Sequence, residues 1–199
     1  MKQLGILIFD DVEVLDFAGP FEVFSVANQL TDYKILAVQT LAYGQGPIRA
    51  KNGLQVLPDK SLEQLNQLDF LVLPGGDGSK NVIQNPSLMA SLQNLVSQTA
   101  WTMSVCSGSR ILGKSGFLDH KPYCTHQEVF DSMASLVPTG IPKPEHRFIQ
   151  SDSRIWTAAG ISAGIDLALH LVELTFGKEL ALATATYMEY TPYTNTHAR

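Results

Sequence analysis

One short segment constrains the fold of this chain more than any other: residues 101–110, WTMSVCSGSR, pass from an apolar stretch directly into a turn of small residues that carries Cys106. This order is typical of the strand-to-helix elbow of α/β enzymes, in which a nucleophile sits on a sharp turn and backbone N–H groups of the next helix face it. A cysteine that only packs as a small hydrophobe is the ordinary alternative, but it needs neither Ser107 nor Gly108. The segment therefore predicts a reactive Cys106 whose pKa is lowered by the helix N-terminus.

Composition limits what surrounds this cysteine. The 199 residues are 45% hydrophobic, which suits one α/β core, and we interpret residues 1–199 as a single domain with a polar tail from about residue 192. The net charge is −5 and the 14 Lys and Arg residues form no basic run, so no nucleic-acid partner is expected. No apolar run could span a bilayer and no secretory signal is visible, so we expect a cytoplasmic protein without a membrane partner, in which Cys106 and Cys124 are reduced.

Short apolar runs alternate with amphipathic segments along the chain, which is the pattern of parallel strands joined by helices. A helix capped by Asn85 and a hairpin-like insertion near residues 54–57 are also expected. The pattern therefore predicts an α/β fold with a mostly parallel sheet. The predicted strands are 4–9, 33–39, 69–73, 101–105 and 155–158, and further helices are predicted at about 19–30, 162–176 and 180–187.

Right-handed βαβ connections bring the loops that follow parallel strands to one edge of a sheet, where ligands bind. The loops after Phe9, Leu73 and Val105 are therefore expected to line one crevice. Gly75 and Gly76, in the second of these loops, would let backbone N–H groups approach a reacting atom, as an oxyanion site requires. An ordinary tight turn explains the glycine pair equally well.

Asp16 is a carboxyl group inside an apolar stretch, VLDFAG at residues 14–19, just before a predicted helix. Desolvation by Leu15 and Phe17 would raise its pKa, so that it could stay protonated near neutral pH and donate a proton beside a thiolate. The alternative is a carboxylate that accepts hydrogen bonds from backbone N–H groups at the helix start.

His126 opens a predicted helix that runs to Met133, and it is the histidine best placed to bind substrate or position a thiolate. A structural role is the commoner one for a lone histidine. Together with His120 and Cys124 it forms an irregular set of ligands without the paired spacing of a zinc site. Neither a metal nor a cofactor is expected.

Five motifs stand in sequence order: LDFAGPFEVF at 15–24, LPGG at 73–76, SVCSG at 104–108, TH at 125–126 and TAAGISAGID at 157–166. Together they resemble the ThiJ/PfpI superfamily, within the class I glutamine amidotransferase-like fold. Within it, the chain is most similar to isonitrile hydratases and to the ligand-sensing half of certain AraC-type regulators. The resemblance implies a flavodoxin-like three-layer α/β/α sandwich, a homodimer, an elbow cysteine at Cys106 and a carboxylic acid at Asp16 hydrogen-bonded near it.

Three residues depart from the pattern of these relatives. Ser107 stands where the hydratases have threonine, a change that keeps the hydroxyl, and it replaces the histidine that protease-like members carry after the cysteine. Arg110 takes a helix position that usually holds a small or apolar residue. Gln127 replaces an aromatic residue, which would alter the substrate preference of the pocket.

The resemblance implies hydration of an isonitrile, a small-molecule substrate, to an N-substituted formamide without a cofactor. Cys106 would attack the terminal carbon and Asp16 would deliver a proton, giving a thioimidate that water attacks. The amides of Gly75, Gly76 and Ser107 would stabilise the developing charge, and the Ser107 hydroxyl could orient substrate or water.

Three other functions remain open. A glyoxalase-like or deglycase enzyme would use the same nucleophile on methylglyoxal. In a non-enzymatic redox-stress protein, peroxide would instead oxidise Cys106 to a sulfinate. A ligand-sensing domain is the third. The chain stops at Arg199 with no helix-turn-helix region and no basic recognition helix, which argues against it.

Overall fold

The computed structural model describes residues 1–65 and 67–192. Apolar segments in these ranges form short strands separated by turns, many of which contain Gly, Pro or Asp. The strands are β1 (Lys2–Leu7), β2 (Leu36–Ala42), β3 (Ile48–Arg49), β4 (Gln55–Val56), β5 (Lys60–Ser61), β6 (Phe70–Leu73), β7 (Trp101–Val105), β8 (Pro122–Tyr123), β9 (Ile141–Pro142), β10 (Phe148–Gln150) and β11 (Ile155–Ala158).

The helices cover the sheet in two groups and are α1 (Val14–Gln29), α2 (Ser79–Val82), α3 (Pro86–Gln98), α4 (Ser109–Lys114), α5 (Phe130–Leu136), α6 (Ala163–Phe176) and α7 (Lys178–Tyr187). Helices α1, α6 and α7 pack against one another, whereas α4 packs against α2 and α5. The chain also forms short 3-10 turns, two of which, Cys106–Gly108 and Gln127–Val129, lead directly into α4 and α5.

Seven strands form the central sheet in the order β10-β11-β7-β6-β1-β2-β5. All neighbouring pairs are parallel except β10 with β11. Leu4 in β1 lies opposite Val38 on one side and Phe70 on the other. Strands β6 and β7 are buried along their whole length, as expected when helices flank both faces of a parallel sheet. The predicted α/β fold is confirmed.

Several predicted boundaries are confirmed. Strand β11 covers residues 155–158 as predicted, and the insertion near residues 54–57 is the β3–β4 hairpin. Asn85 caps α3, since its side chain accepts a hydrogen bond of 3.1 Å from the N–H of Leu88. Gly177 ends α6 at a φ of 101°, where a residue with a side chain would be strained.

Helix α1 begins five residues earlier than predicted. The prediction placed Pro20 in the first turn, but the helix starts at Val14 and Pro20 lies inside it. Proline lacks the N–H that would bond to the carbonyl four residues back, so it normally marks a helix start. Here the apolar residues Phe17, Val23 and Phe24 are buried in the core, and this packing outweighs the lost hydrogen bond. Asp16 therefore lies in the first turn of the helix and not before it.

Strand β2 is displaced by three residues from the predicted range 33–39. Asp32 and Tyr33 both adopt positive φ, 53° and 58°, and form the turn after α1. The side chain of Asn28 then accepts a hydrogen bond of 3.0 Å from the N–H of Leu36, which fixes where the strand begins. Such a side-chain contact eight residues away leaves no periodic signal in the sequence.

Three further predictions concern the helix that begins at His126, the C-terminal tail and membrane spans. The helix predicted from His126 is a 3-10 turn followed by α5, and the polar tail predicted from about residue 192 lies, beyond Pro192, outside the described residues. Among the helices that the structure describes, none is long and apolar enough to cross a bilayer.

Candidate active site

Cys106 stands at the elbow that the sequence predicts, between β7 and α4. Its φ is 57°, in the left-handed region that costs a residue with a side chain roughly 1–3 kcal/mol. The backbone around it is fixed on both sides: its N–H donates to the carbonyl of Ala159 at 3.0 Å, and its carbonyl accepts from the Thr125 hydroxyl at 2.8 Å. The strained turn is therefore held in place by neighbouring loops.

Asp16 lies beside this cysteine and is completely buried. One carboxyl oxygen, Oδ2, accepts a hydrogen bond of 2.9 Å from the N–H of Gly75. The other, Oδ1, is buried and accepts no hydrogen bond of normal geometry from the described residues. The Cys106 thiol and the Ile161 N–H are close enough to lower the pKa of the carboxyl. Asp16 therefore binds a backbone amide, but it is an amide of another loop and not of its own helix.

Burial and charge set the acidities of this pair. Burial raises the pKa of Asp16 to about 7, as predicted, and outweighs the hydrogen bond from Gly75. The pKa of the Cys106 thiol is also raised, to about 12, first by burial and then by the negative charge of Asp16. The predicted lowering of the thiol pKa is therefore wrong, because the N–H groups of Ser107 and Ile161 that favour the thiolate are too weak to offset burial.

The protonation state of the pair follows from these values. Between pH of about 7 and about 12 the pair carries one negative charge, which rests on Asp16 while the thiol keeps its proton. Transfer of that proton from Cys106 to Asp16 leaves the total charge unchanged and removes the repulsion that holds the thiol pKa up. Asp16 can thus act first as a base and then as an acid.

Gly75 and Gly76 fix this arrangement from the loop after β6. A Cβ atom on Gly75 would lie 2.5 Å from the Ser107 nitrogen and 2.9 Å from Asp16 Oδ2. Gly76 has a φ of 113°, and its N–H donates to the Ser107 hydroxyl oxygen at 2.9 Å. The two amides predicted to stabilise charge on the substrate are thus already bonded to Asp16 and Ser107. In the structure they position these two side chains.

The Ser107 hydroxyl belongs to a network that extends to the first turn of α4. It can donate to the Gly76 carbonyl at 3.1 Å, and the Ser79 hydroxyl lies 3.3 Å from it. Ser79 in turn accepts a hydrogen bond of 3.0 Å from the guanidinium of Arg110. Arg110, predicted only as a departure from the family pattern, is thus buried in the site through polar contacts.

A cavity of about 400 Å³ opens onto the thiol. It is lined by Cys106, Ser107 and Gly76, and also by His126 and Arg110. Cys106 is only 8% exposed, but the exposed part faces this cavity. His126 has a second role, because its Nδ1 accepts a hydrogen bond of 3.3 Å from the N–H of Glu128 and caps the turn before α5. The cavity thus brings together most of the predicted site residues.

Ile161 is a site residue that the sequence analysis missed. It follows β11, has a φ of 49°, lines the cavity, and directs its N–H towards the Cys106 thiol. Topology could have predicted this residue, because β11 is parallel to β7 and the loop after β11 therefore reaches the same edge of the sheet. In the sequence analysis, only the loops after Phe9, Leu73 and Val105 are predicted at this edge.

The described part of the chain offers no obvious metal centre. In residues 1–65 and 67–192, no three His, Cys, Asp or Glu side chains cluster closely enough to bind an ion. No disulfide links Cys106 to Cys124.

Comparison with known proteins shows the family of this chain. The sequence pattern of the DJ-1/PfpI family matches residues 2–174, and the chain belongs to that family. It is 31% identical over 191 residues to the isonitrile hydratase of Pseudomonas putida, covering 96% of this chain and 79% of the hydratase. It is 26% identical over 189 residues to the HTH-type transcriptional regulator GbdR of Pseudomonas aeruginosa, covering 95% of this chain and 51% of the regulator.

The fold is also similar to solved structures. A ThiJ/PfpI family protein from Pseudomonas syringae superposes with a TM-score of 0.86 at 26% identity, covering 96% of this chain and 76% of the other. The family thus includes a named enzyme and a named regulator, and membership alone does not select between these activities.

Proposed function

We propose that this protein is a cysteine-dependent hydratase that converts an isonitrile to an N-substituted formamide. The observation that carries the proposal is the buried carboxyl oxygen Oδ1 of Asp16, which has no hydrogen-bond donor of normal geometry among the described residues and lies beside a thiol that opens onto a cavity. An acid–base group poised next to a nucleophile is what addition to an isonitrile carbon needs. The similarity to the Pseudomonas putida isonitrile hydratase supports the choice of substrate.

The first half of the reaction forms a bond between sulfur and carbon. The Asp16 carboxylate takes the thiol proton as Cys106 attacks the terminal carbon of the isonitrile, and the N–H groups of Ser107 and Ile161 stabilise the charge on sulfur. Asp16 then gives that proton to the same carbon. The product is a thioimidate, R–N=CH–S–Cys106, with all atoms and charges accounted for.

The second half consumes water. Water adds to the thioimidate carbon while Asp16 carries one of its protons to the nitrogen, which gives a tetrahedral R–NH–CH(OH)–S–Cys106. Collapse of this adduct forms the formamide carbonyl, breaks the carbon–sulfur bond and returns the hydroxyl proton to the sulfur. Cys106 and Asp16 leave the cycle as they entered it, and no redox step is involved.

The test is to incubate the purified protein separately with cyclohexyl isocyanide and with methylglyoxal, and to follow N-cyclohexylformamide and lactate. Formamide formation that depends on Cys106 supports the proposal. Lactate without formamide would replace it with the glyoxalase-like alternative. If neither product exceeds the level given by Cys106→Ala, the protein is not a hydratase of this kind.

Ligand sensing is a second candidate, and the 26% identity to the regulator GbdR over 189 residues favours it. In that case a small molecule would bind in the same cavity without being consumed. Calorimetry with cyclohexyl isocyanide distinguishes the two, since saturable binding without formamide release fits a sensor.

Two further expectations stay predictions. The homodimer implied by the family resemblance is tested by light scattering in solution. A redox role of Cys106 is tested by peroxide treatment followed by mass measurement of its peptide.

A further inference from the structure

Arg110 has no role in the mechanism above, yet it lies inside the active-site cavity. The residue is 9% exposed and lines the same cavity as Cys106, which precedes it by four residues. Burial lowers the pKa of the guanidinium, because the charged form loses hydration. A cation kept in such a place needs compensation by hydrogen bonds and by an anion.

The described residues give Arg110 hydroxyl groups but no carboxylate. Its two terminal nitrogens donate to Ser79 Oγ at 3.0 Å and to Ser132 Oγ at 3.3 Å. No ion pair joins Arg110 to an Asp or Glu in the described ranges, although the charge of Asp77 acts on it from a distance. Two hydroxyl acceptors leave part of a five-donor guanidinium for another ligand.

The other cations that line the cavity are already paired. Lys51 lies 3.6 Å from the carboxylate of Glu13 and 3.5 Å from that of Asp77. Lys80 lies 3.2 Å from Asp77. In these exposed ion pairs the two positive charges of the lysines are balanced by the two carboxylates. Of the three Lys and Arg residues that line the cavity, Arg110 is the buried one, and it lies close enough to Cys106 to interact with a thiolate there.

We propose that Arg110 binds a carboxylate group of the substrate, so that the natural substrate class is an isonitrile that carries a carboxylate. The identity of the reacting group rests on the proposed function, whereas the anion site stands on the geometry of Arg110. The planar guanidinium fork matches a carboxylate with two parallel hydrogen bonds. A phosphate carries a higher charge and would call for a second unpaired cation, whereas Lys51 and Lys80 are paired with carboxylates.

Alkylation of Cys106 tests the anion site without relying on the hydratase reaction. Iodoacetate and iodoacetamide are nearly the same size, and each transfers a carbon to sulfur as iodide and the thiol proton leave, but only iodoacetate carries a carboxylate. We expect the rate constant for iodoacetate divided by that for iodoacetamide to fall at least tenfold in Arg110→Gln. Both rate constants are measured by intact mass in a Cys124→Ala background. Arg110→Lys, which keeps the charge without the fork, should give an intermediate ratio.

Lys114→Gln is the matched control, since it removes the same charge from an exposed position of the same helix outside the cavity. Its ratio should stay within about twofold of the parent. Circular dichroism and melting temperature show whether each variant is folded, and the rate with iodoacetamide normalises each one. A ratio that is unchanged in both Arg110→Gln and Arg110→Lys would overturn the inference, as would a thiol that neither reagent modifies.

Steady-state kinetics then tests the substrate class. Isocyanoacetate should have a kcat/KM at least tenfold above that of its methyl ester, mainly through KM, and Arg110→Gln should remove this preference. Equal use of acid and ester by the unmodified protein would overturn the substrate class and leave the hydratase intact. Failure to hydrate any isonitrile, with an iodoacetate preference that still depends on Arg110, would overturn the hydratase and support the anion site.

Discussion

Cys106 and Cys124 are two buried thiols in very different surroundings. Cys106 is 8% exposed, sits on a strained turn and shares its site with a carboxyl group and a cavity. Cys124 is 0% exposed, its sulfur lies 2.9 Å from the carbonyl oxygen of Thr157, and its N–H donates to the Thr157 hydroxyl at 3.0 Å. Since burial is similar, the difference lies in what each sulfur faces. A backbone carbonyl holds a thiol in its neutral form, whereas a carboxylate can remove its proton.

The largest expected effect is that of Cys106→Ala. If Cys106 forms the thioimidate, its removal should lower turnover of cyclohexyl isocyanide on the order of a thousandfold or more, because no other group can form the bond to carbon. Formamide release measured by chromatography checks this. Turnover that survives in a well-folded Cys106→Ala protein would mean that water attacks the substrate directly. Cys106 would then not be a nucleophile, and the two thiols would not differ in function.

The next effect concerns the carboxyl group that only Cys106 has beside it. Asp16→Asn keeps an acceptor for the Gly75 N–H but cannot move a proton, so kcat should fall roughly 10²–10⁴-fold. Because the charge of Asp16 raises the thiol pKa, the same change should lower the pH at which thiolate absorbance at 240 nm appears. A thiol pKa that is unchanged or higher in Asp16→Asn would show that the charge of Asp16 does not raise it.

Asp16 also links the site to stability. Its pKa is raised from 3.8 to about 7 in the folded protein. The contribution of Asp16 to the free energy of unfolding is therefore most favourable below pH 3.8, and it is lost as the pH rises through about 7. Above that pH the buried carboxylate costs a few kcal/mol, at about 1.4 kcal/mol per pKa unit. Asp16→Asn should therefore unfold at higher urea than the parent at pH 8, and the difference should shrink towards pH 4. A difference that does not depend on pH would contradict this cost.

Gly75 allows a sharper test of how Cys106 is supported. In Gly75→Ala the new Cβ would meet the Ser107 nitrogen and Asp16 Oδ2, so we expect roughly 1–3 kcal/mol of destabilisation and about a tenfold loss of kcat. Gly44→Ala is the control. Its Cβ would meet nothing within 4 Å, but its φ of 85° would be strained, so stability should fall while kcat stays the same. Equal kcat in both variants would mean that the glycine loop does not position the site.

The parts of the site that could be predicted follow from local pattern and topology. The elbow at Cys106 can be predicted from residues 101–110 alone. The rule that loops after parallel strands share one edge of the sheet correctly places Cys106 near Gly75. The elbow and the shared edge depend on residues that are close in sequence or on a rule of handedness. The pKa of Asp16 is raised as predicted, although Leu15, one of the two neighbours expected to desolvate the carboxyl, is 39% exposed.

The parts that failed depend on contacts between distant segments. The N–H of Gly75 is bonded to Asp16, 59 residues away, so its availability could not be judged from the glycine pair itself. The thiol pKa depends on the balance between burial and the charge of Asp16, which raise it, and the N–H groups of Ser107 and Ile161, which lower it, and Asp16 and Ile161 are both distant from Cys106 in sequence. Arg110 is predicted only as a departure from the family pattern, and its place in the cavity, where it contacts Ser79 and Ser132, depends on elements distant in sequence.

The smallest expected effect is that of Cys124→Ala, which makes it the strictest test of the contrast between the thiols. Losing the sulfur removes a contact with the Thr157 carbonyl and leaves a small void, so stability should fall by about 1–2 kcal/mol while kcat stays within about twofold. Urea unfolding and steady-state kinetics measure both. Because Cys124 lies two residues before His126, which lines the cavity, a tenfold loss of kcat would mean that the inert thiol positions the site through that loop. The division between a reactive and a structural cysteine would then have to be replaced by a single coupled unit.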